Sequence, residues 1–166
     1  IHEIRKGQYF RIVDLHGILK RAFPNHESWV RSVDFSPNGA LLASSCHDDS
    51  VTIWDTVNGS QIQRLSIPGN QMESLVFSPD NRLLVTGAEG NEIQVWNVSN
   101  GRTVHRLTGH SGEVLACAFS ADGKLLATAS ADRTIKLWDV LTGTERQTLT
   151  GHTDAVTSVA FSTKNL

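Results

Sequence analysis

Short runs of alternating apolar and polar residues recur along the chain, separated by clusters of Gly, Pro, Asn, Asp and Ser. A period of two predicts half-buried β-strands, and the clusters predict turns. One run leads to a phenylalanine, as in Val33–Phe35 and Cys117–Phe119. A turn follows: Ser36-Pro37-Asn38-Gly39, Ser78-Pro79-Asp80-Asn81 or Ser120-Ala121-Asp122-Gly123. Asn-Gly and Asp-Gly are short hairpin signals, because both central residues can take positive φ. A second run (Leu41–Ala43, Leu83–Val85, Leu125–Ala127) leads to a polar turn holding Asp48 or Asp132. A third run ends at Trp54, Trp96 or Trp138, and after a Gly turn a fourth ends at Leu65, Leu107 or Leu149. No useful stretch carries a helical period.

These runs are copies. Phe35, Phe77, Phe119 and Phe161 stand 42 residues apart, as do Trp54, Trp96 and Trp138. Two scarce residue types in one register, with no insertion, define a tandem array. Four short strands per unit, joined by tight turns, predict an all-β chain of antiparallel meanders.

Gly109-His110, Phe119-Ser120, Ala121-Asp122-Gly123, Asp132 and Trp138-Asp139 together resemble the WD-repeat β-propeller family, and Gly151-His152 opens another copy. The resemblance covers residues 26–161. It implies that each repeat supplies most of one four-stranded antiparallel blade, with 4–8 blades around a central channel. The units then run over about residues 26–65, 68–107 and 110–149, with a truncated one at 152–166 that holds a first strand. Residues 1–24 read as a partial, degenerate blade: 11–24 resemble an outer strand, with Ile12 where Trp would stand. Residues 25–166 form the propeller segment proper. A seven-bladed ring would need about 290 residues at this period, so three full blades with partial ones at each end predict an incomplete propeller fragment. Exposed blade faces and edges then predict self-association through the fragment ends.

The resemblance also implies a structural hydrogen-bond network joining a loop His, a strand Ser or Thr, a turn Asp and the third-strand Trp. It maps onto His26, Ser44, Asp48 and Trp54, and onto His110, Thr128, Asp132 and Trp138, with His152 opening the next set. The same residue types could be read as a Ser-His-Asp nucleophile system. A catalytic set need occur only once, whereas this one recurs at the repeat period, so the structural reading is preferred. The second unit has Pro68, Thr86, Gly90 and Trp96 at these positions and lacks both His and Asp. That predicts the least stable blade, with Trp96 held by packing alone.

Composition adds exclusions. The 166 residues carry 15 Lys+Arg against 17 Asp+Glu, a net charge of −2, which disfavours a nucleic-acid partner. No apolar run approaches the roughly 20 residues of a spanning helix, so no membrane insertion is expected. Cys46 and Cys117 occupy packing positions and have no metal-ligand spacing. With no signal-peptide pattern, they suggest an intracellular, cytoplasmic protein. Gly123-Lys124 is no phosphate loop, since Ala118 stands where a Gly is needed, and Gly-x-Ser-x-Gly is absent. Asn58-Gly59-Ser60 and Asn97-Val98-Ser99 fit the glycosylation sequon, a match short enough for chance. His26, His110 and His152 lie in separate units, so no shared metal and no cofactor are expected.

Function should sit where the copies disagree, on the loops. The family resemblance implies that residues three and five places after the unit His, and the one before the turn Asp, face a binding rim. These are Trp29 and Arg31, Gln71 and Glu73, Glu113 and Leu115, then Ala155 and Thr157, with His47, Glu89 and Ala131 before the turn. Trp29 is the one Trp outside the repeat register. Glu73, Glu89, Glu92 and Glu113 give this surface an acidic character that would suit a basic peptide. The expected function is a non-catalytic scaffold binding protein partners or peptides on one rim. The alternative is a sensor or targeting propeller of a larger signalling protein or enzyme, such as a switch ATPase or kinase.

Overall fold

The computed structural model describes residues 10–13, 19–23, 28–66, 72–88 and 90–162. Strands β1 (Phe10–Val13) and β2 (Leu19–Phe23) form an antiparallel hairpin. Three four-stranded antiparallel sheets follow in chain order. The first holds β3 (Val30–Phe35), β4 (Leu41–Cys46), β5 (Ser50–Asp55) and β6 (Gln61–Ser66). The second holds β7 (Met72–Phe77), β8 (Leu83–Ala88), β9 (Ile93–Asn97) and β10 (Thr103–Leu107). The third holds β11 (Val114–Phe119), β12 (Leu125–Ser130), β13 (Ile135–Asp139) and β14 (Glu145–Leu149). Register repeats with the sequence: Leu42 faces Trp54, Leu84 faces Trp96 and Leu126 faces Trp138.

The first turn of each sheet departs from the expected geometry. Gly39, Asn81 and Gly123 alone in these turns take positive φ (72°, 63° and 69°). Gly39 N–H donates to Ser36 O at 2.7 Å and Ser36 N–H to Leu41 O at 2.9 Å, so the loop is four residues long. This is a loop around a type I turn closed by one left-handed residue, not a two-residue turn with two positive φ values. Its cause is local. The Ser36, Ser78 and Ser120 hydroxyls donate to Asn38, Asp80 and Asp122 at 2.8, 2.6 and 2.7 Å, and each accepts the N–H five residues on at 2.9 Å. These side chains cap the turn from inside. The Asp or Asn that follows each signature Trp has a similar task. Asp55 Oδ1 accepts the N–H of Val57 and Asn58 at 2.8 and 2.9 Å, and Asn97 and Asp139 cap their own turns likewise.

The hydrophobic cores lie between sheets. Val51, Ile53 and Leu65 of the first sheet pack against Met72, Leu75, Phe77, Leu84 and Trp96 of the second. Val85, Ile93, Val95 and Leu107 of the second pack against Val114, Leu126 and Trp138 of the third. Phe23 of the hairpin packs against Leu42 and Trp54, its ring 5.4 Å from the indole in an edge-on pair. Each signature Trp thus packs on the element before it. Innermost strand β7 lies between β3 and β11. The three sheets and hairpin do not close into a ring.

Two expectations change. Residues 10–23 supply two paired strands instead of one, because Phe10–Val13 ladder with Leu19–Phe23. Residues 151–162 carry no strand, although Val156 is buried and its N–H donates to Ser130 O at 3.0 Å. The hairpin partner that would complete a ladder there falls past residue 166 at this period. The second sheet is covered on both faces, by the first sheet on one side and the third on the other. The far face of the third has no covering sheet among the described residues: Leu149 is 39% exposed, where Leu65 is 5% and Leu107 2%.

Candidate functional site

The polar network is complete in the third sheet. Asp132 follows the end of β12, Thr128 lies within it, Trp138 is on β13, and His110 is in the loop entering β11. His110 Nδ1 is 2.7 Å from Asp132 Oδ2, and its Nε2 is 2.8 Å from the Thr128 hydroxyl, which also accepts the Trp138 indole N–H at 2.9 Å. The carboxylate can only accept, so Nδ1 carries the proton and Thr128 donates to Nε2. Burial disfavours a charged Asp132, but hydrogen bonds from Thr134, His110 and the Ser111 and Thr134 N–H groups outweigh it and hold the carboxyl below its usual range. Every member is satisfied, which is what keeps such a buried chain stable.

The other units are variants. Trp54 donates to Ser44 at 2.8 Å, and Asp48 accepts from Ser50 N–H at 3.1 Å and from Arg64 at 3.0 Å. His26 lies outside the described residues. In the second sheet Trp96 donates to Thr86 at 3.1 Å. It is therefore not held by packing alone: losing the His and Asp leaves the indole–hydroxyl bond intact, because both ends sit on adjacent strands. His152 is exposed, and the network positions it would join fall past residue 166.

In a meander the loops entering the first strand and those joining second to third share one edge. Trp29, Arg31, His47, Glu73, Glu113, Leu115 and Thr157 all lie there; Gln71 and Glu89 lie outside the described residues. Trp29 is 68% exposed, its backbone held by a 3.0 Å hydrogen bond from His47 N–H to its carbonyl. Glu113 and Thr157 are exposed and Leu115 is half-buried.

A feature invisible in the pattern sets this rim. Register shifts between Val30 and Ser32, between Met72 and Ser74, and between Val114 and Ala116. Arg31, Glu73 and Leu115 are thus the extra residues of three β-bulges, one per sheet, and a bulge re-aims its side chain. The structure brings two of them together with His47. Arg31 Nε donates to Glu73 Oε2 at 2.9 Å, with a second contact from its terminal nitrogen, while His47 Nε2 lies 3.4 Å from Glu73 Oε1 without hydrogen-bond alignment. Glu73 is nearly buried, so this pair bridges the first and second sheets. The acidic surface is correspondingly smaller than expected: Glu73 is neutralised by Arg31, and Glu92 lies 3.5 Å from Arg106.

Other reactive groups are occupied or inert. Burial pushes both thiols up to about 11, at Cys46 and Cys117. Burial also raises Asp34, whose carboxylate accepts the Phe77 N–H at 2.9 Å across the first sheet boundary. Among the described residues, no three His, Cys, Asp or Glu side chains gather in metal-holding geometry, and no helix is long and apolar enough to cross a membrane.

The WD domain, G-beta repeat profile matches residues 17–55, 59–97, 101–139 and 143–165. The chain belongs to the WD40 repeat family. Solved WD40 structures agree: U3-55K superposes with a TM-score of 0.79 at 25% identity over 84% of this chain and 44% of that one. The RRP9 WD40 repeats give 0.79 at 26% identity, over 84% of this chain and 43% of theirs. Curated WD40 relatives are similar over shorter stretches. The Arabidopsis thaliana transcriptional corepressor LEUNIG_HOMOLOG is 42% identical over 67 residues, 39% of this chain and 8% of the relative. The Saccharomyces cerevisiae COMPASS component SWD3 is 40% identical over 55 residues, 33% of this chain and 18% of the relative. The chain thus spans under half the length of these WD40 structures and relatives.

Proposed function

We propose that this chain is a non-catalytic scaffold that docks partner proteins or peptides on the bulged rim carrying Trp29. One observation carries the reading: an indole outside the repeat register stands 68% exposed where the fold has no use for it. Exposed Trp beside Arg is the composition of interface hot spots. The His–Ser/Thr–Asp–Trp residues are assigned to architecture, because indole–hydroxyl bonds recur in all three sheets. Membership of a family whose repeats generally serve protein interaction supports the same reading. A second reading, a targeting propeller within a larger protein, is favoured by the small share of LEUNIG_HOMOLOG, 8%, that the matched stretch covers.

The test compares proteins co-purifying with wild type, with Trp29→Ala and with Leu141→Ala, an exposed residue on the opposite rim. Arg31→Ala is unsuitable, because it would strand Glu73 and perturb the sheet boundary. Loss of partners in Trp29→Ala alone supports the rim. Equal recovery in all three removes it.

A further inference from the structure

The bulged rim has an order that the repeat imposes. Because β7 lies between β3 and β11, equivalent positions of the three sheets follow one another along this edge. Trp29 and Glu113 occupy the same repeat position on the first and third sheets. Between them stands the Arg31–Glu73 pair. A segment crossing the rim therefore meets an open indole, a neutralised ion pair, and then an exposed carboxylate. Glu113 has no ion pair among the described residues, and Asp154, exposed beyond it, has none either. On the opposite rim, three acids have cations beside them. Asp80 faces Arg82 at 3.9 Å, Asp122 faces Lys124 at 3.6 Å, and Arg146 pairs with Asp139.

Resting on the scaffold reading above, we propose that the partner is an extended basic segment laid across the bulged rim, one Lys or Arg side chain over the Trp29 indole and another against Glu113. The indole face attracts a cation through its quadrupole, most strongly when Trp is the ring. The carboxylate complements a second cation and sets the direction of the segment. Arg31 cannot oppose such a ligand, since Glu73 already holds it. The bulges matter because they turn Arg31 and Glu73 toward each other and leave the flanking positions open.

The probe is a short fluorescein-labelled peptide alternating lysine and serine, with a glutamate–serine peptide as counterpart. Anisotropy titrations would use the full chain, Trp29→Ala, Glu113→Lys and, on the opposite rim, Asp122→Lys. All three residues are exposed; Asp122 also caps its own turn through Ser120 and the Lys124 N–H, so Asp122→Lys serves as the control with a circular dichroism spectrum matching wild type. The lysine peptide should bind and the glutamate peptide should not. Trp29→Ala and Glu113→Lys should each weaken the lysine peptide about tenfold, and Asp122→Lys less than about twofold. Binding of both peptides alike, no binding of either, or equal effects of Glu113→Lys and Asp122→Lys would overturn the proposal. If the lysine peptide fails while Trp29→Ala still loses its co-purifying proteins, the rim stands and the basic partner falls. If neither responds to Trp29→Ala, both fall.

Discussion

Replacing Thr128 by valine keeps the side-chain volume and removes one hydroxyl from the centre of the third sheet. That hydroxyl accepts the Trp138 indole N–H at 2.9 Å and meets His110 Nε2 at 2.8 Å, and Thr128 is wholly buried. Valine therefore strands two polar groups inside the protein. Each stranded group costs about 1–3 kcal/mol, and the added apolar carbon returns under about 1 kcal/mol. The net loss should be about 2–4 kcal/mol. Thr86→Val in the second sheet provides the internal control. Thr86 is equally buried, but strands only the Trp96 N–H, bonded at 3.1 Å. Its cost should be about 1–2 kcal/mol. Thermal unfolding followed by circular dichroism should separate the variants by several degrees, since 1 kcal/mol shifts Tm by about 2–4 °C at this size. Indole N–H resonances should show Trp138 losing its exchange protection in Thr128→Val while Trp54 keeps it. Equal destabilisation by the two substitutions would refute the premise that the His110 network adds to the indole–hydroxyl bond.

Three further outcomes follow from the same geometry. Native-state hydrogen exchange should find β8 and β9 protected longer than β13 and β14, because the second sheet is covered on both faces; the reverse order would mean that the His–Asp network outweighs that cover. Asp132 has a folded pKa below its unfolded one, so its contribution is present above about pH 4 and is lost as pH falls through the lowered folded value; an acid titration should therefore destabilise wild type more steeply than Asp132→Asn, in which only the other lowered carboxylates, such as Asp139, still titrate. Gly87→Ala places a Cβ 2.8 Å from the Val114 carbonyl and 2.7 Å from its Cγ1, so a thermal melt should show a loss of about 1–3 kcal/mol, which an unchanged Tm would contradict.

The strands and their order were legible because alternation and the 42-residue register report the same faces: Phe35, Phe77 and Trp54, Trp96 sit where pleat and repeat agree. The Thr128–Trp138 bond was legible only through the family resemblance; adjacent strands carry it, so it survives in Thr86–Trp96 where the His and Asp are gone. Turn geometry was less so. Asn-Gly suits a two-residue turn, but the Ser36 hydroxyl and Asn38 side chain stabilise a longer loop through bonds that dipeptide preference does not encode. The bulges at Arg31, Glu73 and Leu115 leave no mark in the alternation, since register is a property of two strands together. The Arg31–Glu73 pair was missed for the same reason: it spans two sheets, and counting acids on one surface cannot show that one is already neutralised. Likewise, comparing the units' polar residues cannot show how each sheet is covered, since burial depends on what lies on either side of it.

Because each core forms at the boundary between neighbours, with a signature Trp from one repeat set against Val51, Ile53 and Leu65 or their counterparts on the repeat before it, no repeat has an interior of its own. Excising one whole repeat would bring Trp138 against that apolar trio with the loss of a boundary but the creation of no new kind of contact. Such an architecture lets gene duplication lengthen or shorten the array in unit steps, whereas a cut made inside a repeat would ruin two boundaries at once.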